Sequence, residues 1–122
     1  MSDDATSTPL VGQTFRVVEI GGAPALDVPT AELTFGDDGR VSGRATINRV
    51  FGPYEIDGAR LSFGALGTTM MAGLPDAMEQ EHRLLQILGT PLTIDAGAAD
   101  GRITLLADGQ PALVLEYAVL ED

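Results

Sequence analysis

The dipeptide Asp-Gly occurs four times in this chain of 122 residues, at Asp38-Gly39, Asp57-Gly58, Asp100-Gly101 and Asp108-Gly109. Each copy adjoins a run in which apolar and polar residues alternate. Asp-Gly accepts the two successive positive-φ conformations of a type I′ turn, whose twist matches that of the flanking strands. Four such signals predict a meander of antiparallel strands. The runs agree with it. Val41, Gly43, Ala45 and Ile47 share one face against Arg40, Ser42, Arg44 and Thr46, and Leu33 and Phe35 alternate with Glu32 and Thr34. Tyr54 and Ile56 alternate with Glu55 and Asp57, and Leu113, Leu115, Tyr117 and Val119 with Val114, Glu116 and Ala118. A sheet with one dry and one wet face reads this way. The expected strands, about eight of them, are Thr14–Ile20, Ala31–Phe35, Arg40–Ile47, Gly52–Asp57, Arg60–Phe63, Leu66–Met71, Leu92–Asp95 with Arg102–Leu106, and Ala112–Leu120.

One segment departs from the period of two. Pro75 precedes Asp76-Ala77-Met78-Glu79, which has the form of a capping box with Asp76 as N-cap. A helix from Ala77 to Leu88 follows, stopped by Gly89 and Pro91. Leu84, Ala77, Leu88, Leu85 and Met78 fall on one stripe, as a core-facing side requires. Glu81 falls in the middle of that stripe. Two placements fit it, with a catalytic general acid as the remaining role. Its carboxylate reaches past the apolar rim to water or to the helix's own first amides, or it is buried and bonded to a strand residue, with Arg49, Asn48, Thr68 or Thr69 as partner. Burial without such a partner is too costly to sustain. The fold class is therefore α+β, mainly β: a small antiparallel barrel-like or rolled sheet with one helix.

Composition narrows the function. Seven basic against 18 acidic side chains leave a net charge of −11, and every basic residue other than the one histidine is arginine. Sequence-independent nucleic-acid binding, which depends on neutralising phosphates, is excluded by that balance. Hydrophobic residues at 44% and charged ones at 20% describe a folded domain. Residues 1–9 are polar and read as a disordered lead-in, and 10–122 as a single domain expected to be monomeric. No stretch approaches the ~18 apolar residues of a membrane span, and the first residues lack the basic and apolar regions of a signal peptide. Without cysteine, the chain as written is expected in the cytoplasm; the alternative is an exported or lipoprotein ectodomain lacking its leader.

No motif selects a reaction. His82 has no second histidine, and no serine sits in a nucleophile elbow. The acidic stretches at Asp37-Asp38 and Asp95 to Asp100 lack calcium-loop spacing and read as hairpin tips. Met70, Met71 and Met78 suggest a copper(I) site or an adaptable surface, but filling the gap between sheet and helix is the simpler expectation. No catalytic residue, metal or cofactor is expected.

From Leu10 onward the order of short motifs resembles the META-domain, or HslJ-like, family, named after a bacterial heat-shock-inducible member. The pieces are Leu10-x-Gly12-x-x-Phe15, Phe35-x-x-x-Gly39-x-Val41-x-Gly43, Asn48-x-x-x-Gly52-x-Tyr54, Gly58-x-x-Leu61-x-Phe63 and Thr68-Thr69-x-Met71-Ala72, with Glu81 where the family's helix carries a Glu. The family commonly reads Gly-Cys-Asn and Met-Ala-Cys with the two cysteines paired; here those positions hold Ile47 and Gly73. The resemblance implies that Ile47 and Gly73 lie close in space. It also implies a barrel-like sheet with one helix, and a stress- or drug-tolerance setting without an assigned reaction. The expected function is non-enzymatic, through a protein-interaction surface near Asn48, Arg49, Tyr54, Thr68 and Thr69, with Glu81 as structural anchor. The alternatives are a small-molecule-binding β-barrel and a protease-inhibitor-like module.

Overall fold

The computed structural model describes residues 10–26, 30–95 and 101–118. The lead-in read in residues 1–9, Asp100 and the end of the last expected strand lie outside them. Ten strands and one helix are formed: β1 Thr14–Ile20, β2 Ala23–Pro24, β3 Glu32–Phe35, β4 Arg40–Arg44, β5 Arg49–Asp57, β6 Arg60–Phe63, β7 Gly67–Thr68, α1 Pro75–Leu88, β8 Leu92–Asp95, β9 Arg102–Ala107 and β10 Gln110–Tyr117. Eight of the strands close a barrel in the order β1-β3-β4-β5-β6-β8-β9-β10, and β10 pairs with β1 to complete the ring. Every pairing is antiparallel, as the meander reading requires. Closure removes the unpaired edges an open sheet would expose.

Of the three Asp-Gly dipeptides that lie wholly among the described residues, one makes the expected turn. Asp108 and Gly109 both take positive φ, 53° and 79°, and link β9 to β10. At Asp38-Gly39 only the glycine does, and Asp38 Oδ1 instead accepts the Arg40 amide at 3.1 Å. At Asp57-Gly58 the aspartate ends β5, and Gly58 leads the turn. The residue pair thus predicts where the chain reverses better than it predicts how.

Inward-facing residues fill the barrel. Phe15, Phe35, Leu33, Leu61, Leu105, Leu113 and Leu115 are wholly buried. At one end the rings interlock: Phe35 meets Phe15 edge-on at 6.1 Å and Tyr54 at 5.1 Å, and Phe15 meets Tyr117 at 4.8 Å. Such pairs add about 0.5 to 1.5 kcal/mol each beyond the area they bury. Leu84 and Leu88 of α1 join the same core, with Leu85 and Ile87 packed at its margin. Ile47, expected inside with Val41 and Ala45, is only half-buried and outside the core, because β4 ends at Arg44 and the alternation ends with it.

The helix begins two residues before its expected start. Leu74 is its N-cap, without a side-chain cap bond, and Pro75 opens the first turn. Proline suits that position because the amide it lacks has no helical partner there. The expected capping box does not form; Asp76 accepts only the neighbouring Ala77 amide, at 2.9 Å. The apolar stripe is also less regular than expected, since Gln80 and Glu81 are buried on it while Leu85 and Met78 are partly exposed.

Candidate functional site

The four residues 45–48 join β4 to β5 in a tight turn closed by the Ala45 amide on the Asn48 carbonyl at 2.7 Å. Thr46 and Asn48 are buried there, and a buried turn needs partners for its polar groups. The helix and the strand after it supply them. Glu81 Oε1 accepts the backbone amides of Ile47 at 2.8 Å and Asn48 at 2.7 Å, and its Oε2 accepts Asn48 Nδ2 at 2.7 Å. Three donors and no acceptor face this 4%-exposed side chain, the set an acceptor-only carboxylate uses. Of the four partners proposed for Glu81, Asn48 is the one found; the solvent-reaching placement is not adopted.

Asn48 binds in the other direction as well. Its Oδ1 accepts from Thr69 Oγ1 at 2.9 Å and from the Met71 amide, while Nδ2 donates to the Met71 carbonyl at 2.9 Å. Thr69 closes the loop by accepting the Arg49 amide at 3.0 Å. Residues 69–74, which run from β7 to α1, are thereby held on both sides of Met71. Gln80 adds a bridge, donating to Thr46 Oγ1 at 3.0 Å and accepting the Leu26 amide at 2.8 Å. Sequence reasoning missed Gln80 and Thr46; the signal was a second polar residue beside Glu81 on the core stripe.

Thr46 has φ 145°, a conformation that β-branched residues avoid. The family pattern Gly-Cys-Asn places glycine at this position, which suits it. Gly73 meets the other expectation: a Cβ there would lie 2.7 Å from Ile47 Cδ1 and 2.8 Å from Cγ1. The two positions are in contact, and the Ile47 side chain fills the space that a Gly73 side chain would take.

Asn48, Arg49, Thr68, Thr69, Glu81, Ile47 and Gly73 therefore form one neighbourhood. Tyr54 does not belong to it. Its ring packs on Phe35 in the aromatic end and its hydroxyl donates to the Gly36 carbonyl at 2.6 Å. Burial, with the charges of Asp38 and Asp37 behind it, pushes the phenol above its ordinary range. His82 is exposed, and no group of three metal-binding side chains occurs among the described residues.

Large apolar side chains next to this neighbourhood are exposed. Met70 is 91% exposed, Leu74 73%, Met71 56% and Phe51 45%, so the expectation that methionines fill the gap between sheet and helix fails for Met70 and Met71. Asn48 takes up the backbone of Met71 on both sides and leaves the thioether outside. Phe51 lies beside Gly67 of β7, where a Cβ would come within 2.6 Å of its ring.

Two concavities lie elsewhere on the described residues: one of about 310 Å³ between Arg16, Leu26 and Glu116, and one of about 450 Å³ beside Tyr54 and Phe63. No helix among the described residues is long and apolar enough to cross a membrane.

The META domain family model matches residues 8–118. The chain belongs to the META domain family. Two solved structures share the fold of this META domain. An NMR structure of a protein from Burkholderia xenovorans superposes with a TM-score of 0.75 at 21% identity, covering 98% of this chain and 94% of that one. A second NMR structure gives 0.70 at 22% identity, with 97% of each chain covered. No curated protein matches it.

Proposed function

We propose that this META domain is a non-enzymatic interaction module that docks a protein partner on the face formed by Phe51 and the segment from Met70 to Leu74. One observation carries the reading: the large exposed hydrophobic side chains of the described residues are Phe51, Met70, Met71 and Leu74, three of them within five residues just after β7 and the fourth on β5 opposite β7. Scattered exposed apolar residues are ordinary, whereas a contiguous set over a rigid support marks a contact surface. Asn48, Thr69 and Glu81 supply that support. The small-molecule barrel is the weaker reading, because side chains such as Phe35 and Leu115 occupy the interior. A reducing compartment suits a chain whose family cysteine positions hold Ile47 and Gly73, and a stress- or drug-tolerance setting is what membership of the family suggests. The test is capture from native lysate by the wild type and by a Met70→Ser/Leu74→Ser variant, with mass spectrometry of proteins and small molecules. A protein retained by the first and lost by the second supports the reading; equal retention rejects it.

A second reading has an observation of its own. The backbone of Met71 is held at both its amide and its carbonyl while Met70 stands almost fully in solvent, the form of a rigid loop offered to a protease. Inhibition of chymotrypsin-like or subtilisin-like proteases, lost on Met70→Asp, would favour it.

A further inference from the structure

The register of the barrel sets six charged side chains opposite one another across five successive strand pairs. Arg102 faces Glu116, Glu116 faces Arg16, Arg16 faces Glu32, Glu32 faces Arg44, and Arg44 faces Arg49. Signs alternate along this belt until the last pair. Arg16 and Arg102 both reach Glu116, at 2.9 and 3.4 Å. Arg44 and Arg49 are exposed, and among the described residues neither guanidinium has a carboxylate within ion-pair distance. Like charges directly opposite are unfavourable in a sheet. They persist here in a molecule of net charge −11, at the strand that carries Phe51 and bonds Thr69.

We infer that the Arg44–Arg49 pair and the apolar face beside it take an extended peptide segment of a partner protein that carries carboxylates next to large hydrophobic side chains. This rests on the docking reading above and adds the partner's chemistry. Complementarity supplies the acid: two unpaired guanidiniums stand together on an otherwise strongly acidic molecule, where they attract carboxylates that the rest of the surface repels. Phe51, Met70 and Leu74 supply contacts for apolar side chains. An extended form follows from β7, whose one strand partner among the described residues is β5, which leaves its other side for an added strand. Polarity follows too. Asp76 and Glu79 stand past Leu74, so the partner's carboxylates belong at the arginine end and its apolar residues at the helix end. An anionic membrane is disfavoured as occupant, since two cations do not offset the repulsion of the whole chain.

The experiment is selection of a displayed library of random 12-residue peptides on the full chain, followed by fluorescence anisotropy of the selected peptides on variants. Enriched sequences should carry Asp or Glu towards one end and Leu, Ile, Phe or Val towards the other. Binding should fall at least tenfold on Arg49→Glu, be largely kept on Arg49→Lys, and weaken several-fold between 50 and 500 mM salt. Peptides without acidic residues, bound equally by the wild type and Arg49→Glu but lost on Met70→Ser/Leu74→Ser, would overturn the inference and leave the docking face standing. No enrichment over the Met70→Ser/Leu74→Ser protein would overturn both. Self-association in sedimentation, or adsorption to phosphatidylglycerol vesicles, abolished by Arg49→Glu in the absence of peptide binding would give the patch to a second copy or a membrane, and would equally overturn it.

Discussion

The amide of Asn48 and the carboxylate of Glu81 act as one hydrogen-bonded unit, joining the β4–β5 turn to the helix on one side and to the Met71 backbone on the other. Its members are 33 residues apart in sequence, and Met71, whose backbone it binds, keeps an exposed side chain.

Removing Glu81 should therefore be costly. Glu81→Ala leaves the half-buried Ile47 amide, the buried Asn48 amide and the Asn48 side chain short of an acceptor, a loss of about 3 kcal/mol. Glu81→Gln turns one acceptor into a donor facing Asn48 Nδ2, and Asn48 cannot flip without losing Thr69 and Met71; it should cost roughly 1 to 3 kcal/mol. Urea unfolding midpoints at unchanged slope are the measurement.

Ile47 and Gly73 should accept a crosslink. The double substitution Ile47→Cys/Gly73→Cys is expected to oxidise spontaneously and, by closing a loop of about 25 residues, to stabilise the oxidised protein by about 3 kcal/mol over the reduced one. A pair that stays reduced under air, or melts no higher when oxidised, contradicts the contact.

At Arg49 stability and binding should move in opposite directions. Arg49→Glu places a carboxylate opposite Arg44 and completes the alternating belt, which should add about 0.2 to 1 kcal/mol. Arg44→Glu should not, because Glu32 faces that position on its other side. Thermal melts of the two single variants at low and high salt separate them.

Alkali should act through Tyr54. Its proton is held more tightly in the folded chain than in the unfolded one, so the associated stability is fully present below the ordinary tyrosine pKa of about 10 and is lost as pH rises through the higher folded value. Absorbance at 295 nm, compared between the wild type and Tyr54→Phe, should show the late-ionising phenol disappear with the substitution, and with it part of the alkaline loss of stability.

Among the described methionines, peroxide should modify Met70 first, then Met71 and then Met78, in order of exposure. Peptide mass spectrometry reads that order directly, and a sulfoxide at Met70 should weaken docking without unfolding the barrel.

Much of this architecture is legible in the residues, because alternation reports which face of a strand is wet before any partner is known. Thr14–Ile20, Arg60–Phe63 and Leu92–Asp95 match their strands end to end. Glu81 announces itself as a polar residue on an apolar stripe, and Asn48 was among its candidate partners. The belt from Arg102 to Arg49 is another matter. Which charges stand opposite depends on the register of five pairings, and no local pattern encodes that. The exposed methionines are not legible for a related reason: thioethers beside a helix usually pack, and the bonds from Asn48 to the Met71 backbone show that this segment is held away from the core. The turn at Thr46 is hidden in the sequence because the alternating pattern runs on through it.

The pairing of β10 with β1 closes the ring between Phe15 and Tyr117, residues separated by almost the whole barrel sequence. During synthesis β10 emerges after every other strand of the ring. Until then β1 and β9 each present a bare edge, so the interval before closure is when this chain is most open to mispairing with its neighbours. A barrel whose last contact is also its longest in sequence should fold slowly for its size, and its safety from aggregation depends on how quickly that final strand is delivered.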